Sequence, residues 1–332
     1  MKIIQFMASS GYGGAEMVMV ELANKLSARH DVFAIILADS VYRDKFDEKV
    51  TIVPLTSHPT INNPLLHYEI YRIVKDIGPD LVHTHAVKGS ILISRINRFC
   101  KIPHLGTKHN DRKGKIFNRL QWVSAVSAKV KASITNSCGL VEVITNGIEP
   151  LPLAPAPRPD TFTILSVGRL DRIKGFAELI TQAGLLNFDF SLKIAGTGGE
   201  HDKLKTLVKS LRLESKVEFL GHREDIDRQM AAAHLVVIAS HKEGGPKTAI
   251  ECLFYGNCLL STPVGLIPEI LPGEMVTSHD ALAAKITEIY RNYPLFEHRF
   301  DEIKKKHRQR FLLGGVVTEY ESYYRKILSQ AG

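Results

Sequence analysis

Two glutamates and the glycines between them are where this chain could do chemistry. Residues 240–251 read SHKEGGPKTAIE, so Glu243 and Glu251 flank Gly244, Gly245 and Pro246. An apolar run of strand length, His234 to Ala239, leads into them, and Lys247 to Tyr255 reads as a helix. A strand, a glycine turn and a helix N-terminus aim backbone N–H groups at one spot, an arrangement that suits an anion. Pro246 brings no N–H of its own. Glu243 can accept from sugar hydroxyls and Glu251 from a ribose. Alone, the stretch could equally be a βα turn with a surface glutamate at each end. A second constellation, Gly168-Arg169-Leu170-Asp171-Arg172-Ile173-Lys174-Gly175, places three cations between the strand Phe162–Gly168 and a helix near Gly175, a setting for a diphosphate. A third, Ser9 to Glu16, carries Gly13 and Gly14, where the backbone can approach a ligand closely. It lacks both G-x-G-x-x-G and the G-K-[ST] of a P-loop. His83, His85 and His109 stand at strand carboxyl ends. Only His83 and His85 are spaced to face one way and no third ligand is evident, so a metal site is not expected.

The elements that would position these residues alternate along the chain. Ile3–Met7, Val32–Leu37, Thr51–Pro54, Leu81–Thr84 and His104–Thr107 read as strands. Glu16–Ala28, Leu65–Gly78 and Lys88–Phe99 read as helices between them. After Val141–Thr145 comes LPLAPAPRPD, whose prolines cannot enter a packed sheet and read as a stiff linker. The pattern then restarts with Phe162–Gly168, Phe190–Ala195, Val217–Leu220, His234–Ala239 and Cys258–Ser261. Such alternation predicts parallel sheets with helices on both faces, and ligands beyond the carboxyl ends of the strands. Phe311 to Ser329 carries Leu313, Val316, Val317, Tyr320, Tyr323, Tyr324 and Ile327 at helical spacing, a stripe read as core.

The totals set bounds. A chain of 332 residues suffices for two domains, and 44% hydrophobic residues excludes disorder. No run is long and apolar enough for a membrane span. Cys100, Cys138, Cys252 and Cys258 show no metal spacing and read as buried thiols of a reducing compartment, with the cytoplasm expected. The net charge of +8 is uneven: Arg95 to Lys131 holds ten lysines and arginines (Lys113 among them) against Asp111 alone, a local +9. Phe117, Leu120, Trp122 and Val123 interleave with them, a pattern that predicts an anionic membrane surface as partner. No RNA- or DNA-binding motif accompanies the charge, so nucleic acid is not expected.

The order of motifs resembles glycosyltransferase family 4, whose members are retaining enzymes of the GT-B fold. The residues that carry the resemblance are GGAE (Gly13–Glu16), HTH (His83–His85), Thr107-Lys108-His109, NGIE (Asn146–Glu149), GRLDRIKG (Gly168–Gly175), AGTGGE, FLG (Phe219–Gly221), the pair Glu243 and Glu251, and GLIPE (Gly265–Glu269). They run nearly end to end.

The resemblance implies an α/β chain of two Rossmann-like parallel-sheet domains facing across a cleft. Residues 1–149 would bind acceptor, 150–310 would bind a nucleotide sugar, and 311–332 would form a helix crossing back to the first domain. Arg169 and Lys174 would hold the donor diphosphate, which Gly13 and Gly14 would approach from the other domain. Glu251 would bind ribose and His222 would lie near the base. Glu243 would contact the donor sugar, helped by Gly244, Gly245, Lys247 and Thr248, and His109 would stand beside the reacting carbon. The implied reaction moves a sugar, with retention, from a nucleotide sugar (UDP being the commonest) to a lipid-linked, lipopolysaccharide- or oligosaccharide-type acceptor on the inner face of the cytoplasmic membrane. The leaving phosphate itself would take the acceptor proton, and neither metal nor cofactor is required. Asp225-Ile226-Asp227 spells D-x-D but opens a helix, where acids suit the dipole, and reads as structural. The alternatives are a non-catalytic sugar-nucleotide-binding protein and another GT-B enzyme, an epimerase or phosphorylase. No lysine resembles the Schiff-base residue a phosphorylase would need.

Overall fold

In a computed structural model, residues 1–112, 114–135, 139–153 and 157–331 are described. Lys113 of the basic stretch, Cys138 and Pro155 lie outside them. The chain divides into two compact units, Met1–Gly147 with Leu312–Gly332, and Ile148–Phe311.

The first unit starts with β1 (Lys2–Phe6), α1 (Gly14–Leu26), β2 (Asp31–Leu37), β3 (Thr51–Leu55), α2 (Pro64–Ile77), β4 (Leu81–His85) and α3 (Ala86–Cys100). It continues with β5 (His104–Lys108), β6 (Trp122–Ala125), α4 (Ala128–Ala132) and β7 (Leu140–Val143). The sheet is parallel, in the order β3-β2-β1-β4-β5-β6-β7. Its strands are covered on both faces, which is why their sequences run apolar rather than alternating. Local signals set the helix bounds. In α2, the Asn63 side chain accepts from Leu65 N–H, Pro64 occupies the first turn, and Gly78 closes the helix at φ +57°. Strand order reverses between β1 and β4, so the crevice at their carboxyl ends is where such a sheet binds ligands.

The second unit contains β8 (Phe162–Val167), α5 (Phe176–Ala183), β9 (Phe190–Ala195), α6 (His201–Ser210), β10 (Val217–Gly221), α7 (Ile226–Ala232) and β11 (Leu235–Ile238). After these come α8 (Lys247–Tyr255), β12 (Leu259–Ser261), α9 (Ile267–Ile270), α10 (Leu282–Arg291) and α11 (Tyr293–His307). Its parallel sheet runs β10-β9-β8-β11-β12 and reverses order between β8 and β11. One apolar cluster fills this unit around Ile164, Leu192, Ile194, Val236 and Val237. The segment after Gly147 is part of this unit rather than a spacer between the two. Leu151 N–H donates to Tyr255 Oη at 2.8 Å, and Arg158 pairs with Glu297 Oε1 at 2.5 Å. Both contacts anchor chain that reads from sequence as a stiff linker.

The last helix, α12 (Leu313–Ala331), belongs to the first unit. Its stripe Val316, Val317, Tyr320, Tyr323, Tyr324 and Ile327 is buried in one cluster with Met19, Leu22 and Leu26 of α1 and Ile3 of β1. It also carries a buried acid. Glu321, 2% exposed, accepts from His30 Nε2 at 2.9 Å, with Arg29 at 3.3 Å and Arg325 at 3.7 Å. Among the described residues no helix is long and apolar enough to cross a membrane.

The basic stretch departs from expectation. Phe117, Leu120 and Val123 form a buried cluster, and Trp122 lies inside β6 with its Nε1–H donated to Gln330 of α12. These residues are core, and the strand that holds Trp122 and Val123 was hidden by the surrounding charge. Lys108 is buried too, its Nζ on Ser133 Oγ at 2.5 Å. Arg98, Lys101, Arg112, Lys115, Arg119 and Lys131 remain exposed.

Removal of the Glu321 carboxylate strands His30 at a buried contact. Glu321→Ala is expected to lower stability by about 1–3 kcal/mol, read as a lower urea midpoint with unchanged slope. An unchanged midpoint would show that the acid contributes nothing to the docking of α12.

Candidate functional site

The carboxyl ends of β8 and β11 bring together the residues singled out in the second unit. After β8 the chain turns through Gly168 and Arg169 to Asp171, whose carboxylate accepts from the N–H groups of Ile173 and Lys174 at 3.1 and 3.2 Å. That cap fixes the 3₁₀ turn Arg172–Lys174. Asp171 also holds the exposed Arg169, Nε at 2.8 Å and the guanidinium NH2 at 2.7 Å, so one acid orients both candidate cations. Gly175 follows at φ +68°, and a Cβ there would fall 1.8 Å from Ala239 O, so only glycine lets this turn lie against the end of β11. The close approach brings Lys174 Nζ into a short ion pair with Glu243 Oε1, which also accepts from Ser240 Oγ at 2.9 Å. The loop after β12 closes the group from beyond. Gly265, at φ +50°, would put a Cβ 2.3 Å from Gly244 O.

Gly244, Gly245, Lys247, Thr248 and Glu251 follow directly, on the turn and first turns of α8. Pro246 is the N-cap, and its carbonyl accepts from Ala249 and Ile250. His222 is exposed past Gly221, at the end of β10 on the sheet's far side. Arg169, Lys174 and Glu243 are therefore grouped, and His222 stands apart from them by two strand positions. Asp225 is the N-cap of α7 and takes a two-pronged contact from Arg223, both distances 2.7 Å. Those contacts with Arg223, then with Gln229, hold its carboxyl well below the usual range. Among the described residues no cluster of three histidine, cysteine, aspartate or glutamate side chains is placed to hold a metal ion.

In the first unit, the turn after β1 carries Gly13 and Gly14. Gly13 N–H donates to Glu16 Oε2 at 3.1 Å, and Ser9 Oγ donates to Glu16 Oε1 at 2.5 Å. The helix start that sequence assigns to an incoming anion thus already faces a carboxylate of its own. Gly13 is extended, so its backbone does not require glycine. Open space lies beside Gly14.

The histidines form one buried run. His85 Nε2 lies 2.8 Å from Gln5 Oε1, and its Nδ1 lies 3.2 Å from Nε2 of the partly exposed His109. Gln5 Nε2 reaches Tyr324 Oη at 3.2 Å, and Tyr324 Oη reaches His83 Nδ1 at 2.7 Å. His83 Nε2 ends on Thr107 Oγ1 at 2.6 Å. Burial holds His83 and His85 well below the ordinary imidazole range, and lowers His104 to about 3 and His109 to about 4. Sequence reasoning finds the three histidines but not that Gln5, Thr107 and Tyr324 satisfy them. A glutamine inside the apolar run IIQFM is the one visible trace. Asp171 and Ser240 are missed for a similar reason: each acts on another side chain, and nothing in spacing marks that.

Two doubly wound sheets, each with polar groups at the point where strand order reverses, define a GT-B architecture. Residues 12–150 match the family model described as Glycosyltransferase Family 4, and residues 152–307 match Glycosyl transferases group 1. The chain belongs to this family of glycosyltransferases. It is 25% identical to GalNAc-alpha-(1->4)-GalNAc-alpha-(1->3)-diNAcBac-PP-undecaprenol alpha-1,4-N-acetyl-D-galactosaminyltransferase of Campylobacter jejuni, over 96% of this chain and 97% of that one. It is also 25% identical to N-acetyl-alpha-D-glucosaminyl L-malate synthase of Bacillus anthracis, over 48% of this chain and only 42% of that enzyme's length. In structure it resembles HepE of Anabaena in complex with UDP-glucose, with TM-score 0.85, 20% identity and 99% of both chains covered.

The neutral histidines give stability a pH dependence. Their folded pKa values lie below the unfolded value near 6.5, so below that pH the unfolded chain binds protons the native state does not. The stabilisation is fully present above pH 6.5 and lost as pH falls. His83, His85 and His104 should each remove about 2 kcal/mol between pH 7 and pH 5. Urea midpoints across that interval check this, and a flat profile would show that the rings are already charged in the native state.

Proposed function

We propose that this glycosyltransferase transfers a sugar, with retention of configuration, from a UDP-sugar to a lipid-linked or polysaccharide-type acceptor, without a metal ion. The observation that carries the reading is the grouping of Arg169, Lys174 and Glu243 where strand order reverses. A lysine ammonium has three donors, so Lys174 can keep Glu243 and still offer N–H groups to a phosphate oxygen. Arg169, aligned by Asp171, presents the rest of its planar fork. Together they can neutralise the charge that grows on a departing diphosphate, the largest electrostatic demand of such a transfer. Glu243, fixed by Ser240 and Lys174, is left to accept from the donor sugar's hydroxyls. As the bond from the anomeric carbon to the phosphate oxygen breaks, the acceptor oxygen bonds that carbon from the same face. Its proton passes to a phosphate oxygen, and the nucleoside diphosphate leaves. By the family resemblance, His109 at the carboxyl end of β5 is assigned to the donor sugar and Glu251 to the ribose. UDP-glucose in the similar HepE structure supports the nucleotide, and PP-undecaprenol in the Campylobacter relative's name supports the acceptor class.

A thermal-shift series with UDP-, GDP- and ADP-sugars should single out UDP. Arg169→Ala and Lys174→Ala should each lower kcat by about 10²–10³-fold, and dialysis against EDTA should change nothing. Wild-type activity in the lysine variant would remove the reading.

Membrane association is the second part of the proposal, and with Phe117, Leu120, Trp122 and Val123 in the core it rests on charge. Arg98, Lys101 and the strongly exposed Phe99 cluster at the end of α3. Co-sedimentation should require anionic lipid and weaken about tenfold or more from 50 to 300 mM salt. Equal binding to neutral vesicles would rule out the electrostatic account.

A further inference from the structure

We propose that Gln5 is a positioning residue for His109: its side-chain amide sets which nitrogen of the His109 ring carries the proton. The proposal rests on the reading that His109 stands beside the reacting sugar. Gln5 is 0% exposed on β1, in the middle of the buried run, and touches both of its halves. An amide is the neutral side chain that accepts at one end and donates at the other. Gln5 Oε1 faces His85, so His85 carries its proton on Nε2. Its Nδ1 then holds a lone pair and accepts from His109 Nε2–H. His109 Nδ1 is left with a lone pair, an acceptor for a sugar hydroxyl.

On the other side, Gln5 Nε2–H donates to Tyr324, Tyr324 O–H donates to His83 Nδ1, and His83 Nε2–H donates to Thr107. Thr107 lies 2.5 Å from Ser124 Oγ. In this order each hydrogen bond of the run pairs one donor with one acceptor. Turning the amide over would reverse every bond and give His109 an Nδ1–H, a donor where the acceptor stood. A leucine would impose no order. A glutamate, which only accepts, would hold His85 doubly protonated, and His85 Nδ1–H would then force His109 to accept at Nε2 and protonate at Nδ1. The titratable groups around His85 are the imidazoles of His83 on β4 and of His109 after β5, and the phenols of Tyr320 and Tyr324 from α12 lie against His83.

Long-range ¹⁵N–¹H correlation spectra of the imidazoles test this on the full chain without substrate. In wild type at pH 7.5, His83, His85 and His109 should all be neutral and protonated at Nε2; a His109 protonated at Nδ1 overturns the proposal before any variant is made. Gln5→Leu should mix the His109 tautomers and Gln5→Glu should reverse them. Both should lower kcat by roughly 10–100-fold, as for partners that orient metal-bound histidines, with the KM for UDP-sugar little changed. Gln5→Glu should regain activity as pH rises and His85 loses its extra proton. Spectra unchanged in a folded Gln5→Leu protein overturn the proposal. Altered tautomers with unchanged kcat, where His109→Ala is inactive, overturn the positioning role. A His109→Ala enzyme of full activity instead overturns the placement of His109 beside the sugar, and the spectra alone then decide whether Gln5 orders the ring.

Discussion

A lysine and a glutamate carried to the ends of neighbouring parallel strands hold the second unit's chemistry together. Lys174 follows β8 and Glu243 follows β11, and these strands adjoin only because the sheet reverses its order between them. The pair forms where two loops must nearly touch, and the chain permits that with Gly175 against Ala239 O and Gly265 against Gly244 O. A side chain at either glycine would push the loops apart and leave an ammonium and a carboxylate each half desolvated. The glycines are thus a condition for the ion pair, and the ion pair is a condition for a cation held ready at a strand end.

The first unit solves a different problem at its own reversal point. There Gln5, His83, His85, Thr107 and Tyr324 are buried with almost no water contact. Buried polar groups are costly unless every one is bonded, and a partly satisfied network is worse than an apolar core. The run from His109 to Thr107 is continuous, so the cost is offset along its whole length. Tyr324 belongs to α12, which makes the last helix part of the histidines' surroundings as well as of the hydrophobic core. Glu321, one helical turn away on the same helix, brings a further polar contact to the turn between α1 and β2 through His30.

Most of the strands and the helices between them were legible because periodicity and glycine placement are local signals. Phe190–Ala195 and Lys247–Tyr255 have the same bounds in sequence and structure. What was not legible involves contact between distant positions. Gln5 meets Tyr324, 319 residues away, and no spacing rule reaches that far. Asp171 was visible only as one acid among cations, although it orients Arg169 and caps the turn bearing Lys174. At Gly13 the sequence suggested a free helix start, whereas the Glu16 side chain, three residues on, takes its N–H. A capping glutamate three residues after a turn is itself a recognised local pattern. The sequence reading of this turn took up the ligand alone and did not consider the cap.

The basic stretch shows how composition misleads about position. Ten cations in residues 95–131 imply a surface, and four large apolar residues among them imply a surface that dips into lipid. Yet burial is decided by the alternation within each element and not by the average of the stretch. WVSA is a four-residue strand paired on both sides, so Trp122 and Val123 face the two layers that cover the sheet. Phe117 and Leu120 fill the space over Gly106, where even a methyl group would lie 2.5 Å from Leu120. Apart from the buried Lys108, the charge stays outside because lysine and arginine stems are long enough to leave an element whose apolar residues point inward. An acidic membrane would therefore meet a field of positive charge with little apolar surface behind it, and such attraction weakens with salt as a lipid-inserted anchor does not.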